Sequence, residues 1–290
     1  MQPVRIRNRV VGPGNPIFIV AEVGINHNGD LEQAKELIST AAAAGCDAVK
    51  FQKRTIEVVY TPEELAQPRE SPFGRTNGDL KRGLEFGYRE YAEIDQYCRT
   101  LGIMWFASCW DLASVDFIEQ FDPSCYKIAS ACLTNECLLR HHASKRRPIL
   151  LSTGMSTQAE IDRAVEVLGA DNLVLLHCTS SYPCKIEELN LRFIPNLMKR
   201  YDVPVGYSGH EVGLYTTVAA VVLGACLVER HVTLDRAMWG SDQAASVEPQ
   251  GLARLVKDTR AVEIAMGDGV KHVYESEIPV RRKLRKATVA

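Results

Sequence analysis

A chain of 290 residues with 46% hydrophobic content can bury one barrel-sized core or two smaller ones. Its formal net charge of −2 argues against nucleic acid as a partner, and no apolar run approaches the roughly 18 residues of a membrane span, so we expect no membrane partner. The first residues lack the apolar segment of a signal peptide, which predicts a cytoplasmic protein.

In chain order, a short β segment at residues 1–16 is followed by strand-like runs that alternate with helix-like stretches. The predicted strands are residues 17–20, 48–51, 104–107, 125–128, 149–151, 173–176, 204–207 and 226–228. The predicted helices are residues 31–44, 89–101, 112–121, 136–145, 158–168, 186–201, 214–223 and 248–266. Such alternation predicts parallel strands with crossover helices, and eight repeats in about 250 residues favour an α/β fold of the (β/α)₈ TIM-barrel type.

The barrel is expected to fill residues 1–270, and residues 271–290 are expected to form a basic tail or a truncated linker. One connection, residues 54–88, is far longer than an ordinary strand-to-helix loop and is rich in proline and glycine. Because it follows a strand, we expect it to cover the substrate as a lid. Its cations Arg69, Arg75, Lys81 and Arg82 would then be available to anions. The alternative is a mobile surface insertion without a role.

Polar residues collect where the predicted strands end, which is where parallel barrels bind their ligands. They are Glu22, Lys50, Gln52, Ser108, Lys127, Ser130, Ser152, Ser180, Tyr182, Ser208, His210 and His231. A buried ammonium group almost always has an anionic partner, so Lys50 and Lys127 are the informative members. Lysines beside serine hydroxyls predict a bound phosphate and carboxylate. A structural ion pair could explain either lysine alone, but it explains both less well.

Two histidines occupy equivalent positions after neighbouring strands. Glu229 and His231 lie two residues apart, so both should point to the same face of an extended strand. His210 follows the preceding strand in the same way, and the two imidazoles could therefore meet on one metal ion. The alternative is two unrelated histidines that are satisfied within a core.

Seven segments together carry a family resemblance: AEVGINHNGD at Ala21, KFQ at Lys50, YKIAS at Tyr126, LSTGMS at Leu151, LLHCTSSYP at Leu175, GYSGHE at Gly206 and ERHVTLDR at Glu229. With them the chain resembles the sialic acid synthases. These enzymes condense phosphoenolpyruvate with an N-acyl-mannosamine or a related aldose, giving a sialic-acid-like nonulosonic acid and phosphate. The resemblance implies a transferase of carbohydrate biosynthesis that works as a homodimer.

By matching position, the resemblance also implies roles for individual residues. The phosphoenolpyruvate site would comprise Lys50, Ser108, Lys127, Ser130, Ser152 and Ser208. A divalent metal, Mn²⁺ or Mg²⁺, would be bound by His210 and His231. Substrate sugar and attacking water would face Glu22, Gln52, Tyr182 and Asp242, and Ser180 would contact substrate. The catalytic residues would be Glu22, Lys50, Lys127, Tyr182 and Asp242.

Three departures from the family pattern leave the sugar open. Ser180 stands where the family usually has asparagine, and Gln243 stands where it usually has histidine. The family's C-terminal domain, which resembles antifreeze proteins and supplies an arginine to the sugar site, would begin where this sequence ends. A separate cap protein could replace it.

Other functions remain possible from the sequence. The nearest is a synthase of the 3-deoxy-octulosonate 8-phosphate kind, which acts on a phosphorylated aldose. A second is a Schiff-base pyruvate aldolase with Lys50 or Lys127 as nucleophile. A third is a barrel retained for binding alone.

Overall fold

The computed structural model describes residues 2–285. Its strands are β1 (Val4–Ile6), β2 (Arg9–Val11), β3 (Phe18–Gly24), β4 (Ala48–Lys53), β5 (Pro68–Ser71), β6 (Gly74–Thr76), β7 (Met104–Cys109), β8 (Tyr126–Ile128), β9 (Ile149–Ser152), β10 (Leu173–His177), β11 (Val205–Gly209) and β12 (Leu227–His231). Its helices are α1 (Leu31–Ala44), α2 (Ile56–Val59), α3 (Pro62–Ala66), α4 (Asn77–Leu84), α5 (Tyr88–Leu101), α6 (Leu112–Glu119), α7 (Glu136–Ser144), α8 (Gln158–Leu168), α9 (Phe193–Tyr201), α10 (Tyr215–Val222), α11 (Pro249–Met266) and α12 (Ile278–Leu284).

Eight of these strands form a closed parallel barrel in the order β3-β4-β7-β8-β9-β10-β11-β12, with β12 paired back to β3. The prediction of a (β/α)₈ TIM barrel is therefore confirmed. Each barrel strand before β12 is followed by a helix that returns the chain to the start of the next barrel strand, as parallel pairing requires. All eight strands consequently point their carboxyl ends to one mouth of the barrel.

Two apolar cores hold the barrel together. The larger lies between the strands and the surrounding helices, where α1 buries Ala34, Leu37, Ile38 and Ala41 at helical spacing. The smaller fills the barrel interior at the amino ends of the strands, with Phe18, Phe106 and Leu227 among its members. The hairpin β1-β2 adds Val4, Ile6 and Val11 to this inner core. The predicted β segment at the start of the chain thus closes the end of the barrel opposite the mouth.

The predicted helix at residues 186–201 is wrong in its first half. The structure has a short 3-10 turn at Ile186–Glu188 and begins α9 only at Phe193. Asn190 lies between them with φ 42°, a left-handed conformation that interrupts a helix. The Leu189 carbonyl accepts a hydrogen bond from His177 Nε2, 2.7 Å away, which holds this segment against β10.

The 54–88 connection has its own secondary structure and is not an irregular loop. It contains α2, α3, the hairpin β5-β6 and α4. Capping boxes start α3 at Thr61 with Glu64 and α4 at Thr76 with Asp79. Phe73 at the hairpin tip packs edge-on against Trp239, with 6.4 Å between ring centroids. The connection therefore reaches across the mouth to the segment after β12.

Seven of the eight barrel strands, all except β8, continue past their predicted ends into polar residues. The first strand runs to Gly24 and so includes Glu22, and the last runs to His231 and so includes Glu229. Their backbones stay paired there, with His231 beside Glu22 and Glu22 beside Lys50. The polar side chains are therefore fixed by the sheet itself, which is stiffer than a loop.

Residues 271–285 are exposed throughout, including the short helix α12. The last five residues of the predicted tail, 286–290, lie outside the described residues. Between residues 2 and 285, no helix combines the length and the apolar character that crossing a membrane would take.

Candidate active site

A cavity of 190 Å³ opens at the carboxyl ends of the barrel strands. It is lined by twelve of the thirteen site residues predicted from the sequence: Glu22, Lys50, Gln52, Ser108, Lys127, Ser130, Ser152, Ser180, Tyr182, Ser208, His210 and His231. Asp242 is the exception, and it lies just beyond the cavity wall with its Oδ2 3.8 Å from His231 Nδ1. The tertiary structure thus brings the predicted residues to one place.

The floor of the cavity is a buried cluster of two lysines and two carboxylates. Lys50 Nζ lies 3.3 Å from Glu22 Oε2 and 3.1 Å from Glu229 Oε1, and it donates to Ser108 Oγ at 3.2 Å. Lys127 Nζ lies 3.5 Å from the same Glu229 Oε1. A single carboxylate, Glu229, therefore contacts both lysines.

The charges in this cluster are strongly perturbed. Burial raises the pKa of the Glu22 carboxyl to about 7, against the opposing attraction of Lys50. Burial alone would also raise the pKa of Glu229, but Lys127 and Lys50 outweigh it and hold that pKa at about 2. At pH 7 the Glu229 carboxylate is thus ionised, and the Glu22 carboxyl is poised to gain or lose a proton.

The two lysines differ in how well they are compensated. Burial lowers the pKa of Lys127, and its attraction to Glu229 offsets only part of that effect. For Lys50 burial acts in the same direction, yet Glu22 and Glu229 together raise its pKa above the ordinary value. Lys127 is therefore the under-compensated cation, and an anion entering the cavity would stabilise it.

Serine hydroxyls surround the lysines. Ser208 donates to Glu229 Oε1 at 3.0 Å, and Ser130 Oγ accepts from the Gly154 amide at 3.0 Å. Ser152 Oγ is buried and has no hydrogen-bond partner among the described residues. A buried hydroxyl without a partner is costly, so Ser152 is oriented for a ligand that the protein alone does not supply.

A glycine keeps this side of the cavity open. A Cβ atom at Gly154 would lie 2.2 Å from Ser180 Oγ and 2.9 Å from Ser130 Oγ, closer than side chains can approach. The backbone after β9 therefore passes directly under the two serines. Its amide is already bonded to Ser130, which fixes that hydroxyl at the cavity wall.

The two histidines lie side by side with their ring centroids 5.5 Å apart. His210 Nδ1 is 2.7 Å from the Thr179 carbonyl, which can only accept, so Nδ1 carries the proton and Nε2 keeps a free lone pair. His231 Nδ1 is buried without a hydrogen-bond partner among the described residues. Burial lowers the pKa of His210 to about 3 and also lowers that of His231, so both rings are neutral.

Tyr182 covers the histidines on the cavity side. Its ring centroid is 4.2 Å from that of His210 and 5.5 Å from that of His231. The side chain is half-exposed and the Tyr182–Pro183 peptide bond is cis. This placement puts the phenol at the boundary between the histidines and solvent, where a second substrate would enter.

Three residues with a clear position in the site were not among the predicted site residues. Glu229 had a readable signal, since it precedes His231 by two residues on the same strand. No sequence pattern pointed to Arg54 and Trp110. Their place in the site depends on the Arg54 guanidinium stacking 4.2 Å from the centre of the Trp110 ring, and the two residues are 56 positions apart. Arg54 also donates to the Gln52 side chain, whose amide in turn donates to Glu22.

Gln243, which stands where the family usually has histidine, has a structural role in this protein. Gln243 is buried, accepts from Thr233 and donates to the Asn26 carbonyl at 3.2 Å. It therefore ties the loop after β3 to the segment after β12. Ser180, the other departure, lines the cavity directly.

The four cations of the 54–88 connection that were predicted to be available to anions fall into two groups. Arg69 and Lys81 line a second cavity, together with residues that follow β3 and β12. Arg75 and Arg82 line neither cavity, and Arg82 pairs with Glu57 on the surface at 2.9 Å. The prediction that all four cations would serve an anion site is therefore not supported for Arg75 and Arg82, because they lie on the outward face of the connection.

Comparison with known proteins places this site in a family. The model of the NeuB family matches residues 37–271. The N-acetylneuraminate-9-phosphate synthase of Mus musculus is 40% identical over 287 residues, covering 97% of this chain and 80% of that protein. The N,N'-diacetyllegionaminic acid synthase of Legionella pneumophila is 36% identical over 286 residues, covering 95% and 80%.

A solved structure extends the likeness to three dimensions. The N-acetylneuraminic acid (sialic acid) synthetase of Leptospira borgpetersenii, solved in complex with citrate, superimposes with a TM-score of 0.86 at 32% identity, covering 98% of both chains. The family match spans most of the barrel, and the relatives exceed 30% identity over almost the whole chain. This chain therefore belongs to the NeuB family, the family of these sialic and legionaminic acid synthases.

Proposed function

We propose that this protein condenses phosphoenolpyruvate with an open-chain aldose of the N-acyl-mannosamine type, giving a nonulosonic acid and inorganic phosphate. The observation that carries the proposal is the cavity floor, where Lys50 and Lys127 are buried together in a cavity that five serines also line. Family membership and the names of the relatives support the same product class.

The cavity floor suits a small multivalent anion. Lys127 is under-compensated, and Ser152 Oγ lacks a partner until a ligand arrives. A phosphate and a carboxylate on one small molecule would engage both lysines through charge-assisted hydrogen bonds. Glu229 keeps the lysines apart and oriented when the anion is absent, since it contacts both.

The reaction then needs one carbon–carbon bond and one water. C3 of phosphoenolpyruvate attacks the aldehyde carbon, and the aldehyde oxygen takes up a proton as it becomes a hydroxyl. Positive charge develops at C2, where water adds and loses a proton. The resulting tetrahedral centre expels phosphate and becomes the keto group of the product. The lysines and serines hold the departing phosphate.

Glu22 is the residue best suited to move the proton of the attacking water. Its pKa of about 7 lets it accept and release protons at neutral pH, which is the property of an efficient general base. Gln52 donates to Glu22 Oε1 at 3.1 Å and so fixes the carboxyl at the cavity wall. Tyr182 and Asp242 would contact the sugar from the outer side of His231.

His210 and His231 fit a divalent metal, Mn²⁺ or Mg²⁺, and we include it in the proposal. Both rings are neutral, one keeps a free lone pair and the other has an orphaned nitrogen. Within residues 2–285 no three His, Cys, Asp or Glu side chains form a metal site, so substrate and water would complete the coordination. When bound there, such an ion would polarise the aldehyde oxygen.

The deciding experiment measures phosphoenolpyruvate consumption by the purified chain with Mn²⁺ against a panel of aldoses. We expect consumption only when an N-acyl-mannosamine or a close relative is present, with a product mass equal to both substrates plus water minus phosphoric acid. Wild-type protein that consumes phosphoenolpyruvate with none of them would refute the proposal. Addition of EDTA should stop the reaction if the metal is required.

A second candidate is a Schiff-base pyruvate aldolase, which the lowered pKa of Lys127 favours in one respect. An amine whose pKa is depressed by burial is a better nucleophile at neutral pH. Borohydride added with pyruvate would then attach a stable mass to Lys127. The condensation proposal expects no such adduct.

A homodimer in the cytoplasm also remains part of the proposal. The exposed apolar side chains of the last described segment, such as Val273, Ile278 and Leu284, support a second copy as partner, and nine free cysteines suit a reducing compartment. Light scattering on the purified chain tests the dimer. A separate cap protein stays a prediction.

A further inference from the structure

A row of contacting side chains leads from the Glu22 carboxyl away from the cavity. Gln52 Nε2 donates to Glu22 Oε1 at 3.1 Å, and Gln52 Oε1 accepts from Arg54 Nη2. The Arg54 guanidinium stacks on the Trp110 ring, 4.2 Å from its centre. Trp110 lines the cavity, whereas Arg54 is not among the described residues that do so. Arg54 can therefore affect the reaction only through a neighbouring side chain.

The strand ends fix where these side chains lie. β4 and β7 pair along their whole lengths. The pairing continues past both strands, because the Trp110 amide donates to the Lys53 carbonyl at 3.1 Å, and this brings Trp110 beside Arg54. The Tyr91 hydroxyl donates to the Gln52 carbonyl at 2.9 Å and holds the end of β4 from behind. The row is therefore built on paired backbone.

The backbone of β3 leaves room for the hydrogen bond between Gln52 and Glu22. Gly24 has φ 56°, in the left-handed region that favours glycine. A Cβ atom there would lie 3.1 Å from Glu22 Oε1 and 3.2 Å from Gln52 Nε2, a tighter contact than side chains usually make. The register between β3 and β4 also shifts between Glu22 and Gly24. The sheet is thus irregular where the two side chains meet, as sheets often are beside active sites.

The direction of the Gln52 amide follows from its two neighbours. A guanidinium group only donates hydrogen bonds, and an ionised carboxylate only accepts them. The amide oxygen must therefore face Arg54, and the amide nitrogen faces Glu22. Glu22 alone cannot hold this direction throughout a reaction, because its carboxyl becomes a donor whenever it carries a proton. Arg54 stays charged and holds the amide in one direction in both states.

Arg54 is itself held by contacts with Glu85 and Trp110. Its side chain is 10% exposed, its Nη1 lies 3.7 Å from Glu85 Oε1, and its backbone amide donates to Glu85 Oε2 at 3.2 Å. Glu85 immediately follows α4 in the 54–88 connection. Trp110 covers the flat face of the guanidinium and attracts its charge. The guanidinium therefore has little freedom to turn away from Gln52.

We propose that Arg54 is a positioning residue, which keeps the N–H of the Gln52 amide pointed at Glu22 and so holds the Glu22 carboxyl at the cavity wall. Trp110 contributes indirectly, because its ring keeps the guanidinium in place. The inference rests on the proposed condensation, in which Glu22 accepts the proton of the attacking water. A carboxyl without this hydrogen bond can turn away, and misplacing a reacting group by about 1 Å can cost about a hundredfold in rate.

The test is a double-mutant cycle of Arg54→Met and Gln52→Leu, read out as phosphoenolpyruvate consumption with Mn²⁺ and an aldose that the wild type uses. Each single replacement should lower kcat by about tenfold to a hundredfold. The KM of phosphoenolpyruvate should stay within about twofold, because Lys127 and the serines lie at other strand ends. In the Gln52→Leu background, Arg54→Met should change kcat by no more than about twofold, the usual scatter of such cycles.

Lys53→Met is the matched control. Lys53 Nζ lies 3.1 Å from the same Glu85 carboxylate and 5.0 Å from the centre of the Phe117 ring, so it too is a cation paired with Glu85 and stacked on an aromatic ring. Among the described residues its side chain has no hydrogen bond to Gln52. Lys53→Met should therefore leave kcat within about twofold of wild type, and melting temperatures check that each variant remains folded.

Arg54→Lys is a second variant in case Arg54→Met does not fold. Lysine keeps a cation opposite Glu85 but lacks the planar fork that contacts Gln52 and Glu85 together. Its loss in kcat should be smaller than that of Arg54→Met, and it should likewise disappear in the Gln52→Leu background.

The outcomes separate this inference from the proposed function. Losses from Arg54→Met and Gln52→Leu that multiply in the double variant would overturn the inference and leave the condensation intact. A wild-type kcat in Arg54→Met would also overturn it, and so would an equal loss in Lys53→Met, which would trace the effect to the charge pairing with Glu85. A wild-type chain that consumes phosphoenolpyruvate with no aldose would refute the condensation, and the inference with it.

Discussion

The replacement Glu229→Gln tests whether one carboxylate holds the cavity floor together. Glu229 Oε1 lies 3.1 Å from Lys50 Nζ and 3.5 Å from Lys127 Nζ, and all three side chains are buried. Glutamine has the same shape and can still accept the hydrogen bond from Ser208. The change therefore removes charge and little else.

The expected loss in the free energy of unfolding follows from these distances. At an effective dielectric constant of about 20, each contact contributes about 5 kcal/mol of Coulomb attraction. The cost of burying the carboxylate cancels much of this sum. Measured losses on breaking a buried pair are about 3–5 kcal/mol, and we expect Glu229→Gln to lie in that range.

The loss should shrink as the pH rises. Burial already lowers the pKa of Lys127, and without Glu229 that pKa falls further. The unfolded chain then binds a proton that the folded chain does not, so stability rises with pH between the folded and unfolded pKa values of this lysine. The deficit of the variant should therefore be largest at neutral pH and smaller towards pH 10.

Urea unfolding followed by circular dichroism at several pH values measures this deficit. Glu57→Gln is a suitable control, because it removes a carboxylate from an exposed pair with Arg82 and should be indistinguishable from wild type. A variant within about 1 kcal/mol of wild type, which is the usual range of a surface change, would refute the reasoning. A deficit that does not change with pH would refute the role given to Lys127.

Three further predictions concern catalysis. His210→Ala or His231→Ala should abolish turnover and the rise in melting temperature caused by Mn²⁺ while the barrel stays folded; near-normal rates in metal-stripped buffer would contradict this. Lys127→Met should weaken phosphoenolpyruvate binding by about tenfold to a hundredfold and sugar binding less, as calorimetry can show; an unchanged affinity would make this lysine structural. In wild type kcat/KM should rise with pH through an apparent pKa near 7, and Glu22→Gln should remove that rise; a variant that keeps it would assign the proton to another group.

Much of the fold was readable from local pattern. Eight alternations of a short apolar run with an amphipathic stretch predicted a parallel barrel, and the barrel closes as predicted. The prediction of one helix over residues 186–201 failed because the interruption of that helix depends on a contact with a residue distant in the sequence. Asn190 adopts a left-handed conformation while the neighbouring Leu189 carbonyl accepts from His177, twelve residues earlier in the chain.

The site was readable for a related reason. A polar residue that ends an apolar strand in a parallel barrel must lie at the mouth, so Lys50, Lys127, His210 and His231 could be placed from sequence alone. The partner that each of these side chains contacts could not be predicted from the sequence. That depends on the lateral register of the sheet, which sets Ser208 beside Glu229 and His231 beside Glu22.

The amino-acid sequence by itself therefore determined the barrel, the end at which chemistry occurs and the residue types present there. Only the tertiary structure decided that Glu229 contacts both lysines, and that Lys81 and Arg69 line a cavity while Arg75 and Arg82 do not. The physical reason is that periodicity is a property of neighbours along the chain. Pairing of charges depends on distances between strands and loops that are far apart in sequence, and these are fixed only when the barrel closes.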